Sequence, residues 1–498
     1  MLDSFTLNAL AFLSILFITL IGIGALTVLA LYFIDITQQR HTIRRNYPVI
    51  GRFRYWFEHL GEFFRQYFFA LDREELPFNR AERGWVYRAA KNVDRNLAFG
   101  STRDLSPVGS VLFLNSAFPT LQEDAAEPSP VTIGPHCKQP YTTSSLFNIS
   151  GMSFGALSKP AVEALSAGAA KAGCWLNTGE GGLSRAHLNG GADIVFQIGT
   201  AKYGVRDEQG KLDPDKLRAV ASQPQVKMFE IKLSQGAKPG KGGILPANKV
   251  TAEIAEARGI PEGEASISPN GQPDIRCPAD LLDMVAQIRE ITGKPVGFKA
   301  VIGEQQWLID LFELIEQRGP ESAPDFITVD SADGGSGAAP QPLLDYVGLP
   351  LKESLPWLVD QLVRFNLRQR VKVIASGKLI TPSGVGWALA VGADFVTSAR
   401  GFMFSLGCIQ ALQCNKNTCP TGITTHDPKL QRGLNPQAKS VRVQQYHANM
   451  TYGVGLIAHA CGVSEPRQLQ REHVRVVMEK GLSIPLSELH PTPVRIIE

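Results

Sequence analysis

Paired cysteines, a surplus of either charge and low-complexity tracts are all missing from this sequence. Its seven cysteines are odd in number and scattered along 498 residues, a poor match to the disulfide framework of a small secreted scaffold. A formal net charge of +3, with no long basic run in the body, argues against a nucleic-acid partner. The 47 glycines and 32 prolines fall in discrete clusters and read as loop chemistry. Hydrophobic residues at 44% and charged residues at 19% are the ordinary balance of a chain that buries a large core.

Charge is absent in one further place. No charged side chain occurs between Ala9 and Ile34. As a helix this run spans about 39 Å at ~1.5 Å per residue, against ~30 Å of hydrocarbon core. A cleaved signal peptide is the competing reading, but Met1–Asn8 lacks a basic n-region and the apolar stretch exceeds the usual ~7–15 residues. The run reads as a single-pass anchor in the cell (inner) membrane. Asp3 is the only charge before it, and Arg40, Arg44, Arg45, Arg52 and Arg54 follow, so the positive-inside rule puts everything after residue 35 in the cytoplasm. Phe53, Trp56, Phe57, Leu60, Phe63, Phe64, Tyr67 and Phe68 then recur at helical spacing. They suit an interfacial helix or an amphipathic helix docked on the body.

Residues 71–140 contain prolines at 77, 107, 119, 128 and 130 that break any long regular element. Beyond them short apolar runs alternate with helical patterns. Candidate strands are Leu146–Ile149, Cys174–Asn177, Ile194–Gln197, Met228–Lys232, Val296–Ala300, Phe326–Val329, Val371–Ala375 and Phe395–Thr397. Helices are expected over Ser158–Ala172, Pro278–Thr292, Trp307–Glu316, Leu355–Phe365 and Ser383–Val391. Eight such units predict an α/β fold, a (β/α)8 TIM barrel, with an open doubly wound sheet as the alternative. The expected organisation is an anchor over 1–35, a connecting helical region over 36–140, the barrel over 141–435 and a helical extension over 436–498. In that extension Tyr446–Cys461 and Pro466–Lys480 read as helical caps.

In a barrel the residues just past each strand converge on one face. Ser376-Gly377-Lys378 and Ser398-Ala399-Arg400-Gly401 follow the last two strands, the usual place of a phosphate site, although simple tight turns also account for them. Asp333-Gly334-Gly335-Ser336-Gly337 offers a backbone surface suited to a flat ring. The segment Ile231-Lys-Leu-Ser-Gln-Gly-Ala-Lys-Pro-Gly-Lys-Gly-Gly243 places Lys232, Lys238 and Lys241 in one glycine-rich loop. That suits a dicarboxylate or an anionic ring, or else a solvated surface loop. Asn177-Thr-Gly-Glu-Gly-Gly182 brings one carboxylate, Glu180, to the same face. Finally, Cys408-x5-Cys414-x4-Cys419-Pro420 gathers three thiols after the second candidate phosphate loop. Iron–sulfur ligation, zinc with His426 as an awkward fourth ligand, and unligated thiols all remain open on spacing alone.

These motifs taken together resemble the FMN-binding domain of glutamate synthase. The resemblance rests on Gly151-Met-Ser-Phe-Gly-Ala-Leu-Ser158, the Asn177–Gly182, Ile231–Gly243 and Asp333–Gly337 loops, and Cys-x5-Cys-Asn-x-Asn-Thr-Cys-Pro-x-Gly, in order over about residues 145–430. It implies FMN held by Met152, Ser153, Asn177, Lys232, Gln235, Gly334, Gly335, Ser376, Gly377 and Gly401. It also implies an iron–sulfur cluster of the 3Fe–4S type on Cys408, Cys414 and Cys419. Glu180, Lys232 and Lys238 would be catalytic, with Gln235 and Arg258 binding the 2-oxoacid. The implied reaction passes electrons through the cluster to FMN and reduces 2-iminoglutarate, made from 2-oxoglutarate and ammonia, to L-glutamate.

Departures from the family qualify this reading. A glutaminase domain is replaced by the anchor, and no Gly-x-Gly-x-x-Gly fingerprint follows a strand. The resemblance therefore implies an external donor, ferredoxin-like or a separate reductase, and free ammonia or a separate glutaminase subunit. Lys241 stands where the family has an acid. The alternatives are a membrane-associated FMN/Fe–S oxidoreductase acting on another amino acid or amine, and a non-catalytic electron-transfer subunit.

Overall fold

Residues 4–94, 96–234, 238–479 and 481–493 are described in a computed structural model. They fall into two units, Met1–Arg80 and Ala81–Glu498. In the first, Ser4–Thr37 forms one helix, α1, long and apolar enough to cross a membrane and with none of its apolar stretch buried. The uninterrupted Leu, Ile, Phe and Ala content favours helix, and nothing in the run breaks it. A short turn of helix over Thr42–Asn46 leads to α2, Gly51–Phe64, which continues into one wide turn over Arg65–Phe69. The aromatic run is thus helical, as its spacing predicts.

The second unit is built on a closed barrel of eight parallel strands, arranged in chain order. They are β1 (Phe147–Ile149), β2 (Leu176–Asn177), β3 (Ile194–Ile198), β4 (Val226–Lys232), β5 (Val296–Val301), β6 (Phe326–Asp330), β7 (Lys372–Ser376) and β8 (Phe395–Ser398). Closure is made by β8 on β1, with Val396 opposite Phe147 and Ser398 opposite Ile149. The barrel reading is borne out, each strand lying within two residues of its expected start and end. The open sheet is excluded, because a doubly wound sheet has two free edges and this one has none.

Helices return the chain between strands. Lys159–Ala172 follows β1; its N-cap, Ser158, accepts from the Ala161 amide, and Gly173 at φ 68° ends it. Pro278–Thr292, Gln306–Arg318, Leu351–Arg364 and Pro382–Val391 lie close to the expected spans. The β4–β5 connection is far longer than the others. It carries the lysine loop, a small strand pair (Ile244–Leu245 with Ser266–Ile267) and the helix Ala252–Arg258.

The barrel's N-terminal end is sealed by an antiparallel hairpin, Val131–Ile133 with Tyr141–Thr143. Ile133 and Tyr141 join Trp175, Val195, Met228, Phe326, Ile374 and Phe395 in one buried cluster. The flanking regions depart from expectation twice. Between Pro77 and Pro107 a twelve-residue helix forms, Arg80–Lys91, because Val86, Ala89 and Ala90 present a buried face at helical spacing. Beyond the long helix Pro436–Ala460, the described part of the expected Pro466–Lys480 cap is not a regular helix. Two single turns lead to a strand, Val474–Glu479, paired with both Val111–Phe113 and Leu482–Pro485. The β-branched run Val474-Arg-Val-Val prefers a pleated surface, and a strand more than 350 residues earlier supplies it.

Candidate active site at the barrel mouth

The C-terminal ends of the strands carry a layer of polar groups inside an apolar wall. Its centre is Glu230 on β4, fully buried. Its Oε1 accepts from Asn177 Nδ2 (2.8 Å) and Gln197 Nε2 (2.6 Å), and its Oε2 accepts from Thr328 Oγ1 (2.6 Å). Three donors from three strands repay the desolvation of that carboxylate. Lys299 on β5 pairs with Asp330 on β6 at 3.1 Å. Burial opposes the charge on Lys299, but Asp330 and Glu230 outweigh it and the net shift is upward. A cavity of about 10 Å³, the size of one water, lies among Ser150, Asn177, Glu230, Lys299, Thr328 and Thr397. The Thr397 hydroxyl facing this layer is buried without a hydrogen-bond partner.

Above this layer sit the expected catalytic groups. Asn177 Oδ1 accepts from the Gly179 amide at 2.9 Å, which tethers the Asn177–Gly182 loop. Gly179 has φ 63°, and a Cβ there would lie 2.5 Å from the Ser153 amide. Glycine is therefore required where this loop meets Met152 and Ser153. Glu180 reaches Lys232 Nζ at 3.5 Å, both side chains largely shielded. Lys238 Nζ donates to the Ala338 carbonyl at 2.9 Å, joining the lysine loop to the loop after β6. Burial holds its pKa below the usual lysine value; Glu180 opposes that shift, and Lys232 and Lys241 reinforce it. Lys241 itself is exposed. Gln235 lies outside the described residues.

Arg258 is buried at the end of its helix. It donates to Ser266 Oγ (2.9 Å) and to the Phe154 carbonyl (3.2 Å), with its guanidinium 5.1 Å from the Tyr203 ring centre; Nε has no hydrogen-bond partner. One donor therefore holds the Gly151–Ser158 loop and the other holds Ser266 in the β4–β5 connection. His426 Nε2 donates to the Gly155 carbonyl, 2.7 Å away, which fixes the ring against the Gly151–Ser158 loop.

The loops after β6, β7 and β8 meet. Lys378 pairs with Asp333 at 2.8 Å, and the Ser331 hydroxyl also bonds Asp333. Ser150 and Ser376 hydroxyls face each other at 3.5 Å. A Cβ on Gly335 would fall 2.5 Å from the Arg400 guanidinium, so this backbone already has a flat group against it. Arg400 lies within electrostatic range of Asp333 and Asp330 and of Cys408 and Cys414. It links the candidate phosphate loops to the cysteines. Gly401 lies under the Tyr446 hydroxyl and Ser398.

Cys408, Cys414 and Cys419 follow, near enough for each charge to act on the others. Burial, with smaller contributions from Cys414 and Cys419, pushes the Cys408 thiol up to about 12. Burial raises Cys414 as well, while it is outweighed at Cys419 by hydrogen bonds from Thr421 and Thr424, leaving that thiol below its usual value. Lys249, buried beneath them, donates to the carbonyls of Cys414 (2.9 Å) and Thr424 (2.8 Å). Tyr87 caps the Cys408 carbonyl at 2.6 Å. Among the described residues no group of three His, Cys, Asp or Glu side chains has the geometry of a metal site.

A model described as "Conserved region in glutamate synthase" matches residues 112–464. The chain belongs to the glutamate synthase family. It is 40% identical to the glutamate synthase large subunit-like protein YerD of Bacillus subtilis, over 94% of this chain and 97% of that one. It is 32% identical to an archaeal glutamate synthase [NADPH] of Methanocaldococcus jannaschii, over 68% of this chain and 63% of that longer one. A mutant flavocytochrome b2 with pyruvate bound overlays over 89% of each chain with a TM-score of 0.46 and 13% identity, a likeness too weak to bear on chemistry. As a member of the glutamate synthase family the protein is an oxidoreductase.

The family motifs did not include Glu230, Gln197, Lys299, Thr328 or Asp330, nor Lys249 and Arg400 around the cysteines. The first group had a signal: Glu230 and Lys299 are charges inside otherwise apolar strands, which are rare unless paired.

Proposed function

We propose that this protein reduces 2-iminoglutarate, formed from 2-oxoglutarate and ammonia, to L-glutamate. The observation that carries the reading is the set of cations, Lys232 and Lys238, gathered with Glu180 over a closed polar layer at the barrel mouth. When bound, FMN would supply hydride chemistry and a 3Fe–4S cluster single-electron chemistry, the electrons coming from an external donor, ferredoxin-like or a separate reductase. The donor set suits such a cluster. Three soft thiols lie within electrostatic range of one another, the ligand type that such a cluster takes. Cys408, Cys414 and Cys419 are its proposed ligands.

The chain's own residues orient and neutralise. Ser376, Gly377 and Gly401 are assigned to the FMN phosphate, and Met152, Ser153, Asn177, Gly334 and Gly335 to its ring system. Lys232, Lys238, Gln235 and Arg258 are assigned to the substrate's carboxylates, where fixed cations hold a dianion without reorganisation. Glu180, ion-paired with Lys232, is assigned to accept a hydrogen bond from the iminium nitrogen and so orient it. Helix α1 is assigned as a single-pass anchor with the second unit cytoplasmic, and ammonia comes free or from a separate glutaminase subunit.

Purified protein replete in FMN and iron, given reduced methyl viologen, 2-oxoglutarate and ammonium, is expected to form glutamate. Ammonium-independent turnover, or flavin reduction by an amino acid or amine without glutamate formation, would replace this reading with an oxidative one. Lys241, where the family has an acid, gives that second reading its footing: it adds positive charge beside Lys238.

A further inference from the structure

Helix α2 is an exposed aromatic stripe without a covering partner of its own. Phe53, Trp56, Phe57, Phe64, Tyr67 and Phe68 lie along one side, from 44% to 74% exposed. Polar residues occupy the other side, where Arg54 pairs with Glu58. Between Thr37 and Ala70 there are six arginines and two glutamates, so the segment is basic as well as aromatic. That is the composition of a helix lying in the headgroup region of an anionic bilayer.

The corner that joins α1 to α2 is built. Asp35, buried at the end of α1, accepts Arg52 Nη2 at 2.7 Å and Nε at 2.8 Å, together with the Val49 amide at 3.0 Å. The guanidinium is held in a two-pronged grip that a lysine does not reproduce. At the same corner a Cβ on Gly51 would lie 2.8 Å from the Ile43 carbonyl, so the backbones approach as closely as glycine permits. Tyr55 is flanked by His41 (5.2 Å) and by Arg44 (4.8 Å). A flexible tether needs none of this.

We propose that α2 lies on the surface of the membrane that α1 enters, with its aromatic stripe in the lipid and the Asp35–Arg52 elbow turning the chain from span to surface. The occupant is an anionic phospholipid surface. Continuity with α1 and the basic charge of the segment select it over a second protein. The proposal rests on α1 inserting, which carbonate extraction tests separately.

The experiment reconstitutes the full chain in phosphatidylcholine–phosphatidylglycerol nanodiscs, with and without lipid brominated in the acyl chain. The difference in emission between the wild type and Trp56→Phe isolates Trp56. That emission is expected to fall about twofold in brominated discs, as befits a ring buried ~5–10 Å below the headgroups. Phe57→Glu/Phe64→Glu is expected to abolish the quenching while carbonate resistance persists. Emission from Trp56 that bromine leaves unchanged, or quenching that survives Phe57→Glu/Phe64→Glu, would overturn the proposal. Release of the wild type by carbonate would overturn both the span and the turn from span to surface, while Trp56 quenching separately decides whether α2 meets lipid.

Discussion

The two ends of the barrel solve opposite problems with the same eight strands. At the N-terminal end Trp175, Phe326 and Phe395 fill the opening, and the one buried carboxylate there, Asp325, is matched by Arg289 at 3.1 Å and Arg370 at 2.9 Å. At the C-terminal end the strands finish in Glu230, Lys299 and Asp330, and the groups above them, Glu180, Lys232 and Lys238, retain some exposure or a loop contact only. The floor is arranged for stability and the mouth for chemistry, since charges assembled at a barrel mouth cost stability that a packed apolar end restores.

Breaking the floor should produce the largest change. Trp175→Ala removes a ring that packs on Phe395 at 5.0 Å and Tyr141 at 6.3 Å. It is expected to cost about 3–5 kcal/mol in denaturant unfolding, with kcat/KM little altered in the fraction that remains folded. A comparable loss from a mouth substitution would erase the contrast.

Lys238→Met should do the reverse. Glutamate formation is expected to fall about 100-fold, roughly 2.7 kcal/mol in kcat/KM, as for loss of one preorganised charge donor. The unfolding midpoint should stay or rise, because a buried ammonium is relieved. The same burial sets a pH signature. The folded-state pKa of Lys238 is depressed, so its charge is lost on raising the pH before that of an ordinary lysine. The KM for 2-oxoglutarate should rise on that alkaline limb, and Lys238→Arg should remove the limb.

The walls should respond to acid. His187 and His447 are buried and held at about 4 by desolvation. Because the folded pKa lies below the unfolded value, their stabilisation is complete above about pH 6.5 and is lost as the pH falls toward 4. From pH 7 to 5 each is expected to cost about 2 kcal/mol, read from denaturation curves. His447→Gln, facing Ser145, should flatten its share.

Glu230→Gln sits between the two regimes and carries the smallest expected effect. Asn177 and Gln197 would lose a charged acceptor but keep a neutral one, costing about 1–2 kcal/mol of stability. Activity should drop about tenfold through loosening of the Glu180 loop. Activity unchanged within twofold would reduce Glu230 to a packing role.

Much of this was legible in the chain. Phe326–Val329 and Val371–Ala375 read as buried strands because parallel strands covered on both faces are nearly continuous apolar runs. The loops that follow them read as a site because a barrel directs all strand ends to one face. Val474–Glu479 did not read correctly, since its partner, Val111–Phe113, is remote and strand pairing over such distances leaves no local periodicity. Arg258 was expected, through the resemblance, to bind the 2-oxoacid, whereas its donors to Ser266 and Phe154 depend on how the β4–β5 excursion folds back.

By itself the sequence carried the eight alternating strand–helix units, the apolar run of α1, the aromatic spacing of α2 and the close spacing of Cys408, Cys414 and Cys419, because each is written locally; that the sheet closes was decided by the pairing of β8 with β1. Only the tertiary structure decided that Glu230 binds Asn177, Gln197 and Thr328, that Arg400 feels both Asp333 and the cysteines, and that Asp35 grips Arg52. Those are contacts between side chains on different elements, and their energies depend on distances that no local pattern encodes.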